Sequence, residues 1–364
     1  MLPPSKINTY DNADLEQLCR QIRSVGSTPN SSDHWPRQQF DFCRNSGVLN
    51  WFLPAPWGAQ WPESDIAKAY IDLASSCLTT TFIITQYVAA SRRIAACENE
   101  DLKQHLLGDL ATGEKFVTVG ISHLTTSHRH LSKPVLQASA TNSGWLLNGF
   151  SPWVTSASQA DFIVTGAVVV DEEDPENAKQ ILLAVPTSTS GITIGASNSL
   201  VGLSSSQTGR VEFKNVTVEA SMLMAGPHEN VLATLSLGST GGLQTSALAI
   251  GLAKAAIGFM VEQSVNRPDL ISNVEAFQSQ RKTITSQLLG IAAGESDCSK
   301  EEIRTAANSL AIRATQAALV AAKGAGYVEG HPVGRWCRES LFFLVWSCPQ
   351  AVRDANLCEF ANMS

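Results

Sequence analysis

The hydrophobic period of this chain changes twice, and that double change limits the architecture more than any single motif. Up to about residue 115 apolar side chains recur at helical spacing; Ile66, Ala69, Tyr70, Leu73 and Cys77, for example, share one helix face. Ser64 is expected to cap that helix with Asp65 in its first turn, after the Pro- and Trp-rich break from Pro54 to Pro62. Between about Phe116 and Leu223 the runs become short and β-branched: Phe162 to Val170, Ile181 to Val185 and Val211 to Val218. Turn formers such as Asn148-Gly149 separate them. From Ala233 helix returns, through Gln263, then Val274 to Ala293 and Lys300 to Lys323, in segments rich in Ala, Leu and Gln. The expected class is a multidomain α+β protein. It has an α-helical domain over residues 1–115, a central antiparallel β barrel or sandwich over 116–223, and a C-terminal four-helix bundle over 224–364.

Composition narrows the function classes. With 44% hydrophobic and 16% charged residues, the chain builds a large core with little charged surface to spare, as enzymes of this size do. The net charge of -7 is dispersed, and no basic cluster exceeds Arg92-Arg93 or Arg281-Lys282. Neither nucleic acid nor a membrane is therefore an expected partner. The eight cysteines form no C-x-x-C pair, so no metal site and no disulfide scaffold are expected, and most read as reduced core residues. No basic region followed by an apolar core and a cleavage site is visible near Met1, and a cytoplasmic location is expected by default. The uncharged runs Leu73 to Ser91 and Val231 to Ala253 read as buried bundle helices. The first is rich in Thr, Ser and Gln, and the second is broken by Gly238, Gly241 and Gly242.

The most specific motif lies in the tail: Gly324-Ala-Gly326-Tyr327, then Pro332-Val333, then Arg338-Glu339-Ser340. It resembles the C-terminal signature of the acyl-CoA dehydrogenase family, where a Gly-rich turn, a Pro-Val and an Arg-acid-small triplet precede a loop that carries a catalytic carboxylate. Trp153-Val154-Thr155-Ser156 resembles the family's Trp-Ile-Thr-Asn segment. Gly202 to Phe213 keeps the family's spacing, with Ser206, Thr208 and Phe213 in place and Ser204 where arginine is usual. Arg267 precedes Gln278 by 11 positions, as the corresponding arginine and glutamine do in the family.

The resemblance implies bound FAD. Trp153 and Thr155 would line the flavin ring, with Ser122 in place of a flavin-contacting threonine. Arg267 and Gln278 would serve the rest of the cofactor, the planar guanidinium being suited to its pyrophosphate. Gly324 would let backbone amides approach that anionic group, and Arg338 with Glu339 would be a structural pair. The residues by themselves also allow blander roles: Trp153 as a core strand residue, Arg267 as a surface charge at a helix end, and the Gly324 turn as a helix C-cap. The resemblance further implies a homodimer or homotetramer with flavin sites across an interface, although Val320 stands where the family often has a contacting glutamine.

Counting on from Arg338 without a gap, the place of the catalytic carboxylate is Ser347. Removing a proton next to a thioester needs a base within hydrogen-bond reach, and a serine with no neighbouring base does not supply one. A second place where some family members carry the glutamate resembles Leu243, just before Gln244. The remaining candidate bases are Glu329, His331 and His123. Three functions stay open: an FAD-dependent oxidoreductase acting on an acyl-CoA or related small organic substrate, with an electron acceptor that the sequence does not name; a flavin-dependent monooxygenase on the same fold; and a non-catalytic flavin- or acyl-binding protein.

Overall fold

Helical periodicity before residue 115 becomes five helices: α1 (Ala13–Ser24), α2 (Arg37–Asn45), α3 (Glu63–Ser76), α4 (Leu78–Ala96) and α5 (Glu100–Thr112). The structure, a computed structural model, describes residues 7, 9–10, 13–25, 30–125, 134–170, 179–234 and 242–363. Helix α3 starts one residue before the expected cap. Pro62 precedes it without any side-chain capping bond, while Glu63 and Asp65 place negative charge where the helix dipole favours it. Cys77 is extended, with φ of -157°, so the uncharged run from Leu73 to Ser91 is two helices rather than one.

The middle of the chain forms β1 (Val117–Gly120), a single turn α6 (Ser122–Thr125), β2 (Leu136–Thr141), β3 (Gly144–Thr155), β4 (Phe162–Val169), β5 (Gln180–Pro186), β6 (Ile192–Ser197), β7 (Thr208–Glu219) and β8 (Leu223–His228). These strands make one open sheet in the order β6-β7-β3-β2-β4-β5-β8, with β1 also on β4. The expected all-antiparallel barrel or sandwich is therefore corrected to an open, mixed sheet. Strand β1 pairs in parallel with the first half of β4, from Val117 opposite Phe162 to Gly120 opposite Thr165. Strand β2 pairs in parallel with its far end at Val168 and Val169. Two strands share one edge of β4 end to end, and alternation along a strand does not report this because it is the same for both directions.

Beyond the sheet come α7 (Val231–Thr234), α8 (Leu243–Ser264), α9 (Ile271–Ala293), α10 (Lys300–Ala322), α11 (Pro332–Ser340), α12 (Phe342–Val345) and α13 (Gln350–Phe360). Among the described residues the expected four-helix bundle has three long helices in this region. The place beside α8 and α9 is taken by α3 from the N-terminal part, and the tail folds into short helices. A reciprocal capping box between Ser299 and Glu302 sets the start of α10. Helix α8 is long and apolar enough to cross a membrane, but much of it is buried against α3, α9 and α10.

Helices α3 and α8 approach closely because of Gly251, where an added Cβ would lie 2.6 Å from Ile71 O and 2.7 Å from Ala74 Cβ. In a free helix Gly→Ala gains up to about 1 kcal/mol, whereas overpacking a helix contact costs roughly 1–3 kcal/mol. At this position the clash outweighs the propensity. Gly251→Ala is expected to lower the thermal midpoint, and a raised midpoint in calorimetry would show that the contact is looser than described.

Candidate functional site

Helix α4 forms one wall of a cleft between the sheet and the C-terminal helices. Phe82, Gln86, Ala89 and Arg93 recur on one of its faces and line a cavity of about 510 Å³. The opposite side comes from the N-terminus of α8, with Leu243 and Gln244, and from the segment after α12. A second cavity of about 450 Å³ lies beside it, lined by Leu200, Gly202, Thr208, Arg338 and Val345 among others. Ser122, Trp153, Ser347 and the aromatic cluster of Phe82, Phe342 and Trp346 line both cavities, so the two form one continuous cleft. In that cluster Trp346 stacks on Phe342 at 5.4 Å between centroids and meets Phe82 edge-on at 4.8 Å.

Ser347 sits at this junction with a left-handed backbone, φ of 42°. A non-glycine residue holds such a conformation only where its surroundings impose it. The fully buried Arg304 on α10 helps to impose it. Its Nη2 donates to Trp346 O at 3.0 Å and its Nε to Asn308 Oδ1 at 3.1 Å, while Asn308 Nδ2 donates to Phe343 O at 3.0 Å. Burial pulls the guanidinium down to about 10, still protonated at neutral pH.

Across the junction Thr208 is fixed by a line of hydroxyls. Its Oγ1 is 2.9 Å from Thr155 Oγ1 and 2.8 Å from Ser206 Oγ, and Thr118 Oγ1 donates to Thr155 O. Thr155 and Thr208 are cross-strand partners on β3 and β7. Both are 1% exposed, and of the two Thr208 lines the smaller cavity whereas Thr155 lines neither.

The structure thus brings Ser122, Trp153 and Ser347 together and sets Thr155 behind Thr208. Arg267, Gln278 and Gly324 line neither cavity. Arg267 Nη1 donates to Ala321 O at 2.7 Å, which puts the arginine at the turn containing Gly324; that glycine and Gln278 are exposed. The three candidate bases also stay outside the two cavities. Glu329 is exposed. His331 Nδ1 accepts the Val333 N–H at the start of α11, and buried His123 holds Nε2 2.7 Å from Gly166 O. Glu339 pairs with Arg335, one helical turn back at 3.7 Å, rather than with Arg338, which lines the smaller cavity.

Glu63 is the one carboxylate lining either cavity among the described residues, and it is bonded to Arg92 Nη2. Arg92, Arg93 and Lys300 line the same cavity. None of these four was singled out as a site residue from the sequence, since each becomes meaningful only once α4, the start of α3 and the start of α10 face one another.

Residues 126–216 match the acyl-CoA dehydrogenase middle domain. A probable acyl-CoA dehydrogenase of Bacillus subtilis is 24% identical over 340 residues, covering 88% of each chain. A dibenzothiophene monooxygenase of Rhodococcus erythropolis is 27% identical over 193 residues, covering 52% of this chain and 45% of its own. The butyryl-CoA dehydrogenase structure from Megasphaera elsdenii superposes with a TM-score of 0.76 at 18% identity, over 96% of this chain and 98% of that one. The chain is similar in sequence to acyl-CoA dehydrogenases and has their mixed α+β fold.

Replacing Asn308 by alanine removes the tie to Phe343 O and leaves Arg304 Nε without its partner. Buried groups deprived of such bonds cost about 1–3 kcal/mol each. Thermal unfolding of Asn308→Ala is expected to show a loss in that range, and a midpoint equal to wild type would mean that the clamp contributes nothing.

Proposed function

We propose that this relative of the acyl-CoA dehydrogenases is a flavin-dependent oxidoreductase that binds FAD in the smaller cavity and a small organic substrate, such as an acyl-CoA, in the larger one. The observation that carries the reading is the meeting of the two cavities at Ser122, Trp153 and Ser347. A space of about 450 Å³ with a partly exposed indole, Trp153, on its wall and the Thr208 hydroxyl at its edge fits a planar heteroaromatic ring. When bound, such a ring supplies two-electron redox chemistry. Trp153 packs against its apolar face, and Thr208, oriented by Thr155 and Ser206, offers a hydrogen bond at its polar edge. Phe82, Phe342 and Trp346 keep water away from the junction.

Arg267 and the Gly324 turn are assigned to the cofactor's distal part, of the same subunit or of a neighbour. The large exposed apolar side chains beside that turn, Val320 and Tyr327, support an assembly surface in a homodimer or homotetramer.

A second reading, a flavin-dependent monooxygenase, is favoured by one observation. The carboxylate on the cavity wall is engaged by Arg92, and Ser347 and Leu243 stand at both places where the resemblance puts a base. Desaturation of a thioester needs that base, whereas oxygen transfer does not.

The test is anaerobic mixing of the purified holoprotein with short, medium and branched acyl-CoAs. Bleaching of the visible flavin band supports desaturation. Bleaching only by an external reductant, followed by oxygen-dependent turnover, supports the second reading, and a colourless protein that takes up no flavin contradicts both. A carboxylate at the junction is expected to act as a base, so Ser347→Glu should raise acyl-CoA bleaching by about 10²–10⁴-fold if desaturation is the native chemistry. No gain in the variant, together with slow bleaching in wild type, would direct the chemistry to oxygen transfer.

A further inference from the structure

The larger cavity has a charge pattern that a purely apolar acyl chain does not need. Its titratable lining is Arg92, Arg93, Lys300 and Glu63, a net charge of two positive in a chain whose total is -7. Glu63 is bonded to Arg92. That leaves Arg93, which is 8% exposed and has no carboxylate paired with it among the described residues. Its one hydrogen bond among the described residues sends Nη1 to Ala89 O at 2.8 Å, and burial together with Arg92 holds it down to about 10, protonated at neutral pH. A cation in the last turn of α4 suits the helix dipole, but that role uses one of the five N–H donors of a guanidinium. Lys300 is the first residue of α10, where the dipole disfavours a positive charge. Burying the Arg93 guanidinium costs the fold stability that an anion in the cavity would offset, and Lys300, exposed at the cavity wall, adds positive charge.

The buried cation also lies at one end of the α4 wall. Phe82 is shared with the junction, whereas Arg93 lies eleven residues further along the same helix, a rise of about 16 Å at 1.5 Å per residue. The wall therefore runs from an aromatic cluster to a buried guanidinium.

We propose that the larger cavity takes an amphipathic organic anion, with its apolar chain along α4 beside Phe82 and Ala89 and its anionic group on Arg93. The inference rests on reading this cavity as the substrate site and extends that reading to a substrate with an anionic group remote from the reacting carbon.

The experiment is calorimetric titration of the full chain with octanoate, heptyl phosphate and octanamide, which share a heptyl chain and differ in the head group. At least one anion is expected to bind about tenfold or more tighter than the amide, the range of a charge-assisted hydrogen bond, and the tighter anion names the head group. Arg93→Gln should abolish that preference without weakening octanamide, and Arg93→Lys should restore part of it. Equal affinities in wild type, no binding of any of the three, or a preference that survives in Arg93→Gln would overturn the proposal. The visible spectrum of the same samples separates this claim from the flavin reading. A colourless protein that still prefers the anion sinks only the cofactor assignment, and a yellow protein without the preference sinks only this one.

Discussion

Arg304, buried on the inner side of α10, gives its donors to Asn308 Oδ1 and Trp346 O, and Asn308 in turn holds Phe343 O. A guanidinium surrounded by carbonyls rather than by a carboxylate is costly to bury; its Nε and Nη2 donors offset part of that cost, while buried Nη1 has no partner among the described residues. Here they fasten a short helix that few of its own backbone bonds would hold. Once α12 and the residues after it are fixed to α10, the stacked pair Phe342 and Trp346 meets Phe82 edge-on at the cleft wall, and Ser347 is left with its left-handed backbone at the junction of the two cavities. The clamp adds to the apolar burial of Phe343, which is 0% exposed in the main core.

The other side of the junction is built by a different means. The sheet brings Thr155 and Thr208 into register, and a row of hydroxyls from Ser206 through Thr208 to Thr155 satisfies polar atoms that would otherwise be buried unpaired. The cleft therefore has one wall oriented by a buried cation and another by neutral hydroxyls, with aromatic rings between them. This arrangement places polar atoms at the rim of an apolar space and, among the described residues, supplies no free carboxylate at the junction.

Much of this was legible beforehand. The succession of helix, strand and helix follows from hydrophobic period, and Trp153, Ser122 and Ser347 were named from motif spacing. What failed did so for physical reasons. Period-two alternation does not encode strand direction, so β1 and β2 in parallel on one edge of β4 could not be read. Thr155 and Thr208 are opposite partners, and only packing decides which of them meets the cavity. Arg92-Arg93 looked negligible as a basic cluster. Its meaning depends on Lys300 far along the chain and on Glu63 across the groove, contacts that a linear pattern does not carry.

The central claim is that the smaller cavity is a flavin site bounded by Trp153 and Thr208. Titrating flavin-stripped protein with FAD, and in parallel with FMN, while following visible absorbance tests it directly. The account predicts saturable binding of one flavin per chain in wild type, weakened by about tenfold in Thr208→Val, as expected for loss of one buried hydrogen bond at the ring edge, and weakened further in Trp153→Ala. Wild-type protein that binds neither flavin, or both variants binding as tightly as wild type, would contradict it.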